Sequence, residues 1–171
     1  DPWFDDDSNF DTGSSAGGWE CKVQTSLGKS TEGEPWDTWK KHFNPMVKSF
    51  CDDVKFTGKR VLPEEYWGNK YSIGSYQEVH EHILPGINIS FCYFYEVSED
   101  NFRFLDTESD ITRITTLASS IDELLNPIDW VEPLDQTIGE LLIWPSYYRH
   151  MVRPCTKERK TISGNLFLEP S

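Results

Sequence analysis

Residues 71–82 read YSIGSYQEVHEH and end in two of the chain's four histidines, a single glutamate between them. Side chains of a β-strand alternate between its faces, so His80 and His82 project together while Glu81 turns away. Two imidazoles on one strand face make a metal clamp that needs a further ligand from elsewhere in the chain. The alternative meaning of a bare His-x-His is a pair of surface-strand residues with no ion. The rest of the sequence has to decide between them.

Working outward, the flanks carry the period of strands. Trp67, Asn69 and Tyr71 share one face, and His80, His82 and Leu84 share another. Pro85-Gly86 marks a turn, and INISFCYFYEV (87–97) is rich in β-branched and aromatic residues. Asn88-Ile89-Ser90 matches a glycosylation sequon but falls inside this buried-type strand and is set aside. Residues 98–135 are polar, with a helix-like IDELL (121–125) and prolines at 127 and 133, and read as an insertion. GELLIWPSYYRHMV (139–152) and ERKTISGNLFLE (158–169) are two further strand candidates joined by a turn through Pro154.

Ahead of the strands, residues 1–20 are acidic and then Gly/Ser-rich. They read as an arm whose Trp3, Phe4 and Phe10 dock it. EPWDTWKKHFNPMVKSFCDDV (34–54) has Trp36, Trp39, Phe43, Val47, Phe50 and Val54 at helical spacing, with Pro35 at the first turn and Pro45 expected to kink or split it. His42, beside this stripe, is expected to be a partly buried structural residue. The expected architecture is one domain over 1–171: an arm and helix support over 1–60, and a core over 61–171 with an insertion at 98–135. Its fold class is mainly β with flanking helices, a double-stranded β-helix of the jelly-roll, cupin-like kind.

Composition narrows the classes. Hydrophobic residues make up 37% and aromatics 14% of 171 residues, enough for a packed core. No apolar run approaches the roughly 18 residues of a membrane span. The net charge of −13 repels phosphate backbones, so nucleic acid is not the expected partner. Cys21, Cys51, Cys92 and Cys155 form no CxxC pair, and reduced thiols in a cytoplasmic setting are expected. GKSTEG (28–33) lacks the upstream glycine of a P-loop.

The third ligand is expected at His150, because early and late strands of a double-stranded β-helix lie side by side. Nine residues after it stands Arg159, and on a strand Arg159, Thr161, Ser163 and Asn165 share a face. A guanidinium fork with a hydroxyl beside it suits a carboxylate held bidentately. A metal centre beside such a socket is what a 2-oxo acid cosubstrate requires. Arg153 competes for the role, but it sits in a turn next to Pro154. The aromatics Trp144, Tyr147 and Tyr148 are expected chiefly as packing.

With these residues assembled, the chain resembles the 2-oxoglutarate- and Fe(II)-dependent oxygenases, in particular the phage and bacterial branch near the prolyl hydroxylases. WGNKYSIGSYQEVHEH, NISFCYFYEV and IGELLIWPSYYRHMVRPCTKERKTISGN carry the resemblance, which covers roughly residues 66–168. It implies His80, His82 and His150 as metal ligands, with Arg159 and Thr161 on the distal carboxylate of 2-oxoglutarate. It implies a cosubstrate hydroxyl from Tyr71, with Asn69 and Tyr93 as further candidates. It also implies Fe(II), 2-oxoglutarate and O2 as cofactors, and hydroxylation of a C–H bond of an unidentified peptide or small molecule with release of succinate and CO2. The cytoplasm, of the host if the chain is phage-encoded, is the implied location. One position departs from the usual family pattern: His82 stands where a carboxylate is usual, which leaves a bound metal more positive. That departure keeps two alternatives open. One is a non-catalytic jelly-roll module binding a metal or small acid. The other is a cupin-type three-histidine enzyme that does not use 2-oxoglutarate, against which Arg159-x-Thr161 argues.

Overall fold

The computed structural model describes residues 2–12, 23–58, 60–83, 89–97, 101–105, 130–131 and 136–169. Within them, two antiparallel sheets enclose one core. In the larger, the spatial order is β1 (Asp11–Thr12), β2 (Gln24–Thr25), β3 (Arg60–Tyr71), β10 (Arg159–Glu169), β5 (Ile89–Glu96) and β8 (Leu141–Pro145). In the smaller it is β4 (Gln77–His80), β9 (His150–Val152), β6 (Phe102–Leu105) and β7 (Trp130–Val131). Early and late strands thus become neighbours: β10 lies between β3 and β5, with Arg159 opposite Tyr71 and Thr161 opposite Asn69.

Strand alternation divides the large sheet into two working faces. Trp67, Asn69 and Tyr71 of β3 and Arg159 and Thr161 of β10 face the interior between the sheets, where all five are buried. Tyr71, Cys92, Phe94 and Trp144 of the large sheet pack there against Phe102 and Val152 of the small one. The opposite face carries Phe91, Tyr93, Ile162 and Leu166, which pack against the amino-terminal elements. Tyr93 therefore lies with the Trp36 cluster, away from the interior.

Those amino-terminal elements are α1 (Pro2–Asp5), a 3-10 turn (Asp7–Asn9) and the 18-residue α2 (Trp36–Asp53). The arm docks as its aromatics predict, with Phe4 and Phe10 buried. Trp3 packs at 4.9 Å from both Phe10 and Trp36, against Gly68 of β3, where a Cβ would strike the Trp3 ring. The apolar stripe of α2 sits on the sheet through Trp39–Phe43 (4.4 Å) and Phe43–Phe91 (4.6 Å). Aromatic pairs of this kind contribute about 0.5–1.5 kcal/mol each beyond area burial.

Three expectations need correction. Of the two outcomes expected at Pro45, a kink or a split, the split does not occur: α2 runs through it, because the stripe on either side is held by the sheet. His42 is exposed, since the stripe turns Phe43 inward and leaves its neighbour outside. The stretch 98–135 is not all excursion, because Phe102–Leu105 forms β6, paired with β9 in the small sheet. IDELL, Pro85-Gly86, Asn88 and Cys21 lie outside the described residues. Cys51, Cys92 and Cys155 are free thiols.

Candidate functional site

The small sheet brings the histidines together. β4 and β9 pair with His80 opposite His150. His82 lies just beyond the end of β4, its backbone N–H donating to the Ser146 carbonyl at 3.0 Å. The ring centroids are 4.2 Å (His80–His150), 5.3 Å (His80–His82) and 5.1 Å (His82–His150) apart. One ring nitrogen from each lies within 4.8 Å of the others. Glu81 is exposed and faces Arg149 at 3.7 Å. The strand alternation expected to run through His82 stops at His80, and the Ser146 bond beyond the strand end is what brings His82 to the same side.

Which nitrogens converge follows from hydrogen bonding. His80 Nδ1 lies 2.8 Å from the Glu78 carbonyl and His150 Nδ1 lies 3.0 Å from the Tyr148 carbonyl. His82 Nδ1 lies 2.8 Å from Asn165 Oδ1. Oxygen acceptors place the proton on each Nδ1, which makes Nε2 the lone-pair nitrogen of each ring. Burial pushes the His80 pKa down to about 4, and it lowers those of His82 and His150 as well. The three rings are therefore neutral at pH 7, the form that binds metal. Trp67 stacks on His82 at 6.0 Å and the Trp144 edge meets His150 at 5.0 Å, keeping the donor set in an apolar wall.

Beside the imidazoles the same cavity is lined by Tyr71, Arg159 and Thr161. Arg159 is 1% exposed and has no carboxylate partner among the described residues. Its Nη1 donates to Asn101 Oδ1 (2.7 Å) and Gln136 Oε1 (2.6 Å), both neutral amides. Nε has no hydrogen-bond partner, and Nη2 has the Cys92 sulfur at 4.0 Å. The Phe94 and Tyr71 rings lie 5.3 Å and 5.6 Å from the guanidinium carbon. A buried cation without an anion is costly, and Nε with Nη2 is one bidentate edge of the fork, so this edge fits an incoming carboxylate. Thr161 is equally buried and accepts from Asn69 Nδ2 at 3.3 Å, while Asn69 Oδ1 has no partner. The Tyr71 hydroxyl donates to Gln77 Oε1 at 2.9 Å. Arg153 is exposed.

No family model matches the sequence, and no curated protein matches it. The fold does have solved neighbours. A Pseudomonas putida prolyl-4-hydroxylase superposes with a TM-score of 0.55 at 13% identity, covering 96% of this chain and 80% of that one. HygX from Streptomyces hygroscopicus, with nickel, 2-oxoglutarate and hygromycin B bound, gives 0.57 at 11%, covering 94% and 74%. A Trichoplax adhaerens prolyl hydroxylase, in complex with a hypoxia inducible factor peptide fragment, gives 0.52 at 14%, covering 85% and 62%. The chain has the fold of the 2-oxoglutarate-dependent Fe(II) oxygenases. That fold is the double-stranded β-helix expected from the strand pattern.

On this double-stranded β-helix all six expected site residues line one cavity, His80, His82 and His150 from the small-sheet side and Tyr71, Arg159 and Thr161 from the large sheet. Sequence reasoning missed Asn101 and Gln136 on the guanidinium, because lone amides outside regular strands carry no periodic signal. It placed Asn165 on the face of Arg159, but its partner His82 lies 83 residues away and comes within reach only once the sheets fold over.

Proposed function

We propose that the chain is an Fe(II)- and 2-oxoglutarate-dependent dioxygenase that hydroxylates a C–H bond of a peptide or small molecule, releasing succinate and CO2. One observation carries this: three ring nitrogens within 4.8 Å of one another share a cavity with a buried guanidinium that has no carboxylate partner among the described residues. The donor set fits the metal, since each ring is neutral, its Nδ1 is anchored by an oxygen and its Nε2 carries the lone pair. His80, His82 and His150 would hold the ion. When bound, Fe(II) supplies redox chemistry that couples O2 reduction to oxidative decarboxylation of the cosubstrate. Arg159 binds the distal carboxylate through its Nε–Nη2 edge, with the Thr161 hydroxyl beside it and Tyr71 bordering the same space. Trp67, Phe102, Trp144 and Val152 exclude water from the reacting end. A peptide or small-molecule substrate is supported by neighbours that hold a peptide fragment in one case and hygromycin B in another.

The test is anaerobic addition of Fe(II) and 2-oxoglutarate, followed by air. A visible charge-transfer band and stoichiometric succinate are expected, and absence of both overturns the proposal. His82 in place of a carboxylate favours one second reading, a metal- and acid-binding module without turnover. Tight binding of both ligands with no succinate across a panel of peptides and small molecules would establish that reading instead.

A further inference from the structure

We infer that Asn165 is a positioning residue for the metal centre, holding His82 in the Nδ1–H tautomer so that Nε2 faces the other two imidazoles. The inference rests on the metal-centre reading proposed above. His80 and His150 are anchored locally, each by a backbone carbonyl two residues before it. His82 is different. Its ring is anchored by a side chain of β10 that is 83 residues away in sequence. The orientation of this one ligand therefore depends on an amide, and an amide has two ways round.

With the amide reversed, an NH2 group would face His82 Nδ1, the ring proton would move to Nε2, and the lone pair would be lost to the metal. Glu65 opposes that reversal. Asn165 Nδ2 donates to Glu65 Oε1 at 2.9 Å, and an ionised carboxylate accepts only. Ser90 Oγ, fully buried, lies 2.9 Å from Asn165 Oδ1 and 3.1 Å from Ser146 Oγ. The Ser90 hydroxyl has one proton for these two acceptors and can itself accept, so it adapts to either amide orientation; Glu65 sets the direction. Asn165 is itself 2% exposed, so water does not substitute for its oxygen. Glu65 is exposed, which keeps the carboxylate hydrated while its orientation reaches the half-buried ring.

This arrangement also answers the presence of imidazole at position 82. A carboxylate there would have no N–H to offer, and the Asn165 oxygen would face another acceptor. The Asn165–Glu65 pair belongs with a histidine.

The experiment uses the full chain. In the metal-free protein, at pH 7.5 and with 15N-labelled histidine, long-range 1H–15N correlation should show His82 as a single Nδ1–H tautomer. Co(II) is then titrated against a competing chelator. Asn165→Ala should weaken Co(II) binding by about 10- to 100-fold and release His82 into mixed tautomers. Asn165→Asp combined with Glu65→Gln keeps an acceptor toward His82 and a donor toward that acceptor without setting two carboxylates together, and should recover most of the wild-type affinity and the single tautomer. Glu65→Ala leaves Asn165 free to turn and should give a second His82 tautomer with a several-fold weaker site. Wild-type protein that binds no Co(II) would overturn the metal-centre reading itself. Wild-type protein that binds Co(II) yet shows His82 as Nε2–H before loading would overturn the Asn165 inference alone. So would an Asn165→Ala protein that is unchanged in both affinity and tautomer. If that variant does not fold, the wild-type tautomer and Glu65→Ala decide.

Discussion

Arg159 concentrates the electrostatic argument in one side chain. Its charge is buried, two neutral amides hold it without cancelling it, and Nε has no partner. Two charge-assisted hydrogen bonds to a carboxylate are worth roughly 1.5–3 kcal/mol each. Arg159→Gln should therefore raise the Kd for 2-oxoglutarate by at least about 100-fold, read by titration calorimetry on Ni(II)-loaded protein. Ni(II) affinity should stay within about twofold, because Arg159 is not among the imidazole donors. Arg159 and Thr161 were readable in the sequence because strand alternation gives every second residue one address. Asn101 and Gln136 were not, since each stands outside a strand and its purpose exists only next to the guanidinium.

Strand β10 is an element with two occupations. Arg159, Thr161 and Asn165 reach inward, while Ile162 and Leu166 pack toward α1 and α2. Gly164 is the tight point, because a Cβ there would meet both the Glu65 carbonyl oxygen and the Phe91 ring. Gly164→Ala should lower stability by about 1–3 kcal/mol in urea unfolding, because the backbone oxygen cannot step aside. On the other side of that packing, Pro45 interrupts the hydrogen bonding of α2 without serving the stripe. Pro45→Ala should add about 1–2 kcal/mol by the same assay, a restored helix bond offset by a freer unfolded chain. The sequence revealed the long strands and this helix through their periods. It concealed β6, four residues in polar surroundings, because so short a run carries too little alternation to stand out. It also misplaced His42, since a residue flanking an apolar stripe can fall on either side of the helix boundary with solvent.

Taken whole, the fold gathers three neutral imidazoles, His150 buried and His80 and His82 half-buried, and acid should find them. Each binds its proton less readily folded than unfolded, so between the two pKa values the unfolded chain holds more protons and stability rises with pH. The contribution is fully present above about pH 6.5, the unfolded value, and is lost as pH falls toward the folded value of about 4 for His80. For His80 alone the loss amounts to roughly 3 kcal/mol. Urea unfolding of metal-free protein at pH 7 and pH 4.5 should show most of this drop, and His80→Asn should reduce it while His82 and His150 keep their part. The sheet pairing that creates the centre also imposes an arithmetic on the gene. Arg159 and Asn165 stand six positions apart on one extended strand, an even number, and this parity lets the guanidinium and the amide face the same chamber. A single added codon between them would turn one of the two outward unless a bulge absorbed it, as the pairing with β3 already does just past Asn165. Descendants of this sequence that keep both side chains inward must change that interval in steps of two or add a bulge.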